Sequence, residues 1–282
     1  MRKSILVFGL SLIAAFVFAG SSFSTNGDGV FVPSATGTGG IDYSKQILKV
    51  KGIAPPQPGA QTTGMSRVQQ LRVTKADAYR KALELIKEVQ VTSETTVNNF
   101  ILQSDVIRTK VEGMVRGLKE EGEPKYLSDG TIEQEYSFPL QGNFTGLMFD
   151  QIVPPGTLPQ SPSVPFGQGG QTFSGLIVDA RGLGVKPAMA PKVIDEDGRE
   201  VYGSAYVNRE WAIEQGMAGY SKDVTAAQSN QRVTATPIIV KGIKTAGQAK
   251  ADIVISNADA GRIRANAENM TFIEKCRVMI VL

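Results

Sequence analysis

The side chains able to do chemistry are few and scattered in this chain. Asp179, Asp195, Asp197, Glu200 and Asp223 are numerous enough for acid–base or glycosidase work, yet nothing in their spacing fixes a separation between two of them. Asp195-Glu196-Asp197-Gly198 resembles the start of a calcium loop but lacks the later ligands and the terminal Glu, so it reads as a turn. Asp179-Ala180-Arg181-Gly182-Leu183-Gly184 is a Gly-rich loop that could cradle an anion. The helix that such cradles use cannot start there, because Val185-Lys186-Pro187 follows and Pro191 comes soon after. The chain has no His and a single cysteine, Cys276. Ser-His-Asp and Cys-His catalysis and the commonest zinc ligand are thereby excluded. The expectation is a protein with no catalytic residue, no cofactor and no metal. Contact anchors are expected instead at Tyr79, Arg80, Arg181, Tyr202 and Trp211, because interfaces favour exposed aromatic and Arg side chains.

Those residues sit in a chain of 282 residues that is 41% hydrophobic and 20% charged, a globular composition. The net charge of +3 falls close to zero once Arg2 and Lys3 are set aside. No run of Lys and Arg interleaves with aromatics, which argues against nucleic acid as a partner. Residues 1–19 read as a secretory signal: a short basic start, an apolar run from Ser4 to Phe18, and small residues around Ala19 and Gly20. That run is short of the roughly 20 residues needed to span a bilayer, which favours cleavage over anchoring. No Cys follows it, so the route to a lipid anchor is closed. The expected location is the periplasm or cell envelope, with envelope proteins or the cell wall as partners and peripheral membrane association open.

The pattern along the chain predicts an α/β protein of the α+β type. Two small modules, each a short mixed or antiparallel sheet packed by helices, are joined by a Pro/Gly linker. Residues 20–44, rich in Gly, Ser and Thr, read as a flexible leader. The first module covers 45–150. Within it, Lys45 to Ala54 reads as a strand, stopped by Pro55 and Pro56. Ser66 to Lys87 reads as a long helix with Val68, Leu71, Ala78, Ala82, Leu85 and Ile86 on one face. Val89 to Val97 reads as a strand broken by Asn98 and Asn99, and Ser104 to Gly117 as a second helix with Val106 on its apolar face. A hairpin follows, turning at Ser128-Asp129-Gly130. Five prolines and several glycines between 151 and 172 form the linker. The second module, 173–282, should hold strands at Phe173–Asp179, Asp252–Ile255 and Cys276–Leu282, a hairpin around Asp195–Gly198, and helices opened by Asn208 and Ser256. Arg232 to Ile243 should contain a further strand, with Pro237 marking an edge or bulge. Cys276 should be a buried core residue. Separate modules should unfold separately, so loss of Cys276–Leu282 is expected to spare the first.

Part of this chain resembles a known family. Lys51-Gly52-Ile53-Ala54-Pro55, Ala76-Asp77-Ala78-Tyr79-Arg80 with Leu83, Val91, Ser93-Glu94-Thr95-Thr96-Val97, Ser104-Asp105-Val106-Ile107 and Gly117 carry the likeness over about residues 47–140. This stretch resembles the twenty-kilodalton surface lipoprotein family, whose domain is similar to the N-terminal domain of flagellar assembly protein T. The resemblance implies a small α/β module and a non-enzymatic role in the envelope, often outer-membrane or motor-associated, and it carries no functional residue across. Gly175-Leu176-Ile177-Val178-Asp179-Ala180-Arg181 is similar to a segment that accompanies this domain in other exported proteins. Residues and resemblance together predict a structural or assembly protein that acts by protein–protein contact. The alternative is a periplasmic binding module for a small anion or glycan, built on the Arg181 loop.

Overall fold

The computed structural model describes residues 29–56, 64–156 and 165–282. The signal, the start of the leader and the proline-rich middle of the linker therefore lie outside the described residues. The described part is α+β: eight α-helices and two sheets, of five and seven strands.

The first sheet is wholly antiparallel. It contains β1 (Phe31–Pro33), β2 (Gly39–Asp42), β3 (Ile47–Ala54), β4 (Lys119–Tyr126) and β5 (Ile132–Pro139), in the order β1-β2-β3-β5-β4. Residues 29–44 are thus not a free leader. Their Gly-rich sequence serves close packing, since a Cβ on Gly40 would fall 2.3 Å from the Phe31 ring. The hairpin between β4 and β5 turns where expected, with Gly130 at φ 84° and the Asp129 carboxylate accepting the Thr131 N–H at 2.9 Å. β4 is an open edge, and its Lys-Glu-Glu-Gly-Glu-Pro-Lys sequence and register shift discourage further strand addition.

α1 (Gly64–Lys87) lies across β3 and β5. Alanines and leucines on one side favour the helix, but its buried stripe is rotated from the expected one. Gln70, Thr74, Ala78, Ala82, Leu85 and Ile86 face the sheet, while Val68 stays 48% exposed. Polar groups set this rotation. The Gln70 amide donates to Pro55 O and Gly130 O, and the Thr74 and Tyr136 hydroxyls bond at 3.0 Å. Small residues permit the approach: a Cβ on Gly52 would stand 2.0 Å from Thr74 O.

Residues 89–96 form a loop closed by a single bridge between Gln90 and Thr96, not a strand. Asn99, read as a breaker, accepts the Thr96 N–H at 2.8 Å and helps start α2 (Val97–Gln103). α3 (Asp105–Val115) is capped by Ser104 and buries Ile107, Val111 and Val115; Val106 points to solvent, 63% exposed. α4 (Asn143–Ile152) was not expected. Its residues 144–149 are all buried, a run without the helical alternation that sequence reading relies on.

The second sheet is mixed. In chain order its strands are β6 (Leu176–Asp179), β7 (Val193–Ile194), β8 (Glu200–Tyr202), β9 (Gly219–Ser221), β10 (Ile238–Ala246), β11 (Asp252–Ile255) and β12 (Val278–Val281). They lie in the order β8-β7-β11-β10-β6-β12-β9, with β10, β6, β12 and β9 mutually parallel. β12 is interior and buried at every position, as its unbroken apolar run predicts. Pro237 precedes β10, and β10 itself is interior, with its register shift at Gly242–Lys244. The helices are α5 (Arg209–Gln215), α6 (Val224–Gln228), α7 (Asn257–Arg264) and α8 (Met270–Glu274); Asn208 and Ser256 cap α5 and α7 as read.

The two halves are not independent. One hydrophobic core runs from Leu48 and Ala82 through Phe144 to Tyr220 and Ile280. The Tyr43 and Tyr220 rings meet edge to face at 5.7 Å, Ser44 donates to Tyr220 O at 2.7 Å, and Gln46 donates to Ala218 O at 3.0 Å. α4 packs on α5, with Arg209 ion-paired to Asp150 at 2.8 Å. The loop carrying Ser93 plugs the turn between β10 and β11. The Ser93 hydroxyl accepts from Ala251 and Asp252 N–H at 3.2 and 2.9 Å and donates to Ala246 O at 3.3 Å. Even the glycines 167 and 170, expected in a loose linker, pack against Ala265, and Gly167 N–H donates to Arg264 O at 2.7 Å.

Calorimetry of the full chain should accordingly give one unfolding transition, and removing Cys276–Leu282 should destabilise both halves together. Ser93→Ala leaves two buried N–H donors unpaired and should cost about 2–4 kcal/mol in denaturant titration. Two separate transitions would show that the seam does not couple the halves.

Candidate functional site

Open sheets with parallel strands hold ligands outside the carboxyl ends of those strands, where the chain reverses its direction of travel. Here β6 is followed by the β7–β8 hairpin on the β10 side, and the chain then crosses to β9 at the opposite edge before returning to β10; the connections after β6 and β10 leave in the same direction, so no reversal falls between them. The Asp179–Arg181 loop lies at the carboxyl end of β6, beside β10. Gly182 and Gly184, at φ 79° and 68°, let the loop turn back over the sheet.

The side chains gathered there are Asp179, Arg181, Asp223 and Lys241. Arg181 grips Asp179 through Nε at 2.7 Å and NH2 at 2.8 Å. Hydrogen bonding from Arg181 holds the Asp179 carboxyl below its ordinary range, with Lys241 adding to the effect. Asp223 contributes to the field at Arg181 but is occupied in capping α6, accepting the Ala226 N–H at 2.8 Å. Ser221 exchanges bonds with the Asp223 backbone. Asp179, Arg181 and Asp223 are each engaged in a local structural bond, and Lys241 has no ion pair among the described residues. A cleft of about 180 Å³ lies elsewhere, bounded by Lys51, Glu121, Glu123, Lys125, Glu133 and Glu135 on the first sheet. Lys51 is ion-paired to Glu133 at 3.0 Å there.

The five anchor residues do not converge. Tyr79 on α1 is half-buried, its hydroxyl donating to Glu112 O at 3.4 Å. Arg80 is exposed and ion-paired with Asp77 and Glu84. Arg181 is exposed just past the carboxyl end of β6, and Trp211 on α5 is 37% exposed. Tyr202 cannot be a contact residue at all. It is fully buried on β8, where its hydroxyl donates to Met217 O and burial pushes its pKa well above the usual phenol. Val201 and Tyr202 are both enclosed on this three-residue strand, and the neighbour that meets the Tyr202 hydroxyl from far along the chain is Cys276.

The acidic turn is explained by a buried ionic network. Asp195 Oδ1 accepts the Asp197 and Arg199 N–H groups at 3.1 and 2.8 Å. Its Oδ2 accepts from Arg199 Nε at 2.8 Å and from Arg264 NH1 at 2.7 Å. Both oxygens are committed, leaving no geometry for calcium. Burial alone would raise the Asp195 pKa. The Arg264 bond, the Arg199 N–H and the Arg199 side chain outweigh that and hold it at about 2. Arg264, only 8% exposed, was invisible as a partner because it lies 69 residues away on α7. Among the described residues no group of three or more Asp, Glu or Cys side chains could hold a metal ion.

A second buried cation organises the approach to β12. Arg232 donates to Gly216 O and Cys276 O, each at 2.9 Å, and to Gln215 O, so it closes the carboxyl end of α5. Cys276 is buried, as read from the sequence, and adopts φ 53°, a strained value for a residue with a side chain. Burial pushes its thiol up to about 11.

Residues 175–282 are similar to the family described as Treponema pallidum Tp0624, second domain. That match covers the second sheet and its helices and does not reach residues 47–140. No curated protein matches the chain.

Two outcomes follow from these networks. Asp195→Asn should cost about 3–5 kcal/mol by leaving Arg264 buried without its anion. Because the Asp195 pKa is depressed on folding, its contribution is present above the ordinary 3.8 and should fade as pH drops toward 2, a loss that Asp195→Asn should abolish in acid titrations. Cys276 should resist a thiol reagent in the native protein and react only at the unfolding rate; fast native labelling would contradict its burial.

Proposed function

We propose that this chain is an exported, non-enzymatic cell-envelope protein with a structural or assembly role, flagellum- or outer-membrane-associated, that works through protein–protein contact. The observation that carries the reading is a division of labour among side chains. The polar groups at the carboxyl end of β6 and in the acidic turn are, Lys241 apart, tied to one another or to helix ends, while large apolar groups remain in water. Leu102 at the end of α2 and Val106 at the start of α3 are 69% and 63% exposed, and Tyr126 and Leu127 beside the β4–β5 turn are 55% and 43% exposed. Arg67 stacks over the Tyr126 ring at 5.4 Å, a pairing of the kind that anchors interfaces. The signal-like residues 1–19 and the resemblance over 47–140 support the same reading.

The anion- or glycan-binding alternative has in its favour the two cations, Arg181 and Lys241, beside the carboxyl end of β6. Against it, the bidentate bond to Asp179 leaves Arg181 with little charge to offer.

Gentle fractionation of native envelopes on a density gradient tests the proposal. The protein should sediment with a large membrane-embedded assembly or with basal bodies. Recovery only as a free soluble species would overturn it and bring the Arg181 alternative forward.

A further inference from the structure

The second sheet is covered unevenly. On one face Leu176, Val178, Ile238, Val240, Val278 and Ile280 enter the main core. On the other, Ile177, Met279 and Val281 are buried under Ala227, Val233 and Val224, in and just after α6. β10 continues this second face in register, Ile239 beside Ile177 and Lys241 beside Asp179. There the cover stops: Ile239 is 39% and Ile243 46% exposed. β10 is bonded to β6 on one side and β11 on the other, so edge position does not explain this exposure. A helix of five residues is too short to reach across.

Charge describes what would fit. Lys241 lies between the two isoleucines, and the register shift after Gly242 turns Lys244 outward as well. Neither lysine has an ion-pair partner among the described residues, and the Asp179 beside Lys241 is already held by Arg181. The stripe therefore reads apolar, cationic, apolar, cationic over about 15 Å of strand. We infer that this stripe of β10 is the docking face for an amphipathic helix of a protein partner, its apolar ridge flanked by Asp or Glu. The inference rests on the contact reading above and names the surface and the chemistry of its partner. A helix is required because both backbone edges of β10 are bonded, so an added strand has nothing to pair with. A second copy of this chain would bring lysine against lysine, which disfavours self-association through this face.

The test uses the full chain and two labelled helical peptides of about five turns, with Leu at positions i, i+4, i+7 and i+11 and either Glu or Lys on the flanks. The Glu peptide should bind saturably, at least about tenfold tighter than the Lys peptide, and weaken with salt. Ile239→Asp with Ile243→Asp should abolish binding while leaving the melting temperature little changed, both positions being exposed. Lys241→Glu with Lys244→Glu should invert the preference toward the Lys peptide, a readout that misfolding cannot imitate. Equal or absent binding of both peptides would overturn the inference. So would dimerisation abolished by the isoleucine substitutions, or capture by phosphatidylglycerol vesicles in place of the peptide. Failure here with gradient co-sedimentation intact removes this face and leaves the contact function standing; failure of both removes the function.

Discussion

The Ser93 hydroxyl and the Tyr43–Tyr220 ring contact hold together two sheets that would each otherwise end on open apolar surface. Ser93 satisfies three backbone groups in the β10–β11 turn, and the tyrosines close the core between β2 and β9. Buried backbone groups require partners, and here the partners are supplied across the seam. The strands near the start of the described chain, the α4–α5 pair and the position of Gln46 all depend on that seam being formed. Contacts across the seam join the two sheet-bearing halves through one hydrophobic core.

Electrostatics serves the same end. Asp195, Arg199 and Arg264 tie the β7–β8 turn to α7, and Arg232 ties α5 to the approach to β12. Asp195 and Arg264 form a buried pair, a state in which removing one partner costs more than the pair contributes, while Arg199 is partly exposed. These bonds define where elements meet. The exposed apolar groups on α2, α3, the β4–β5 turn and β10 are the surface on which the proposed contact would fall.

Much of the local structure was legible. α3, the β4–β5 hairpin, the caps at Asn208 and Ser256, and the buried β12 follow from periodicity, turn residues and apolar runs confined to a few neighbouring positions. Errors came where the deciding partner was distant. Val68 and Val106 look like core residues by spacing, yet polar bonds from Gln70 and Thr74 rotate α1, and Ile107 rather than Val106 faces inward on α3. Tyr202 looks like an exposed anchor until residues near 276 enclose it. Glycine and charge mark the Arg181 loop in the sequence, but its bond to Asp179 and its place beside Lys241 needed the tertiary structure.

By itself the sequence determined the α+β class, the absence of histidine chemistry, the buried cysteine and the positions of most strands and caps, because each depends on composition or on contacts within one element. Only the tertiary structure decided that the halves share a core, that the Gly-rich stretch before β3 is part of a sheet, that Arg264 neutralises Asp195, and that β10 presents an uncovered stripe. Each of those depends on which residues meet across tens of positions of chain, and that is decided by sheet order and packing rather than by local pattern.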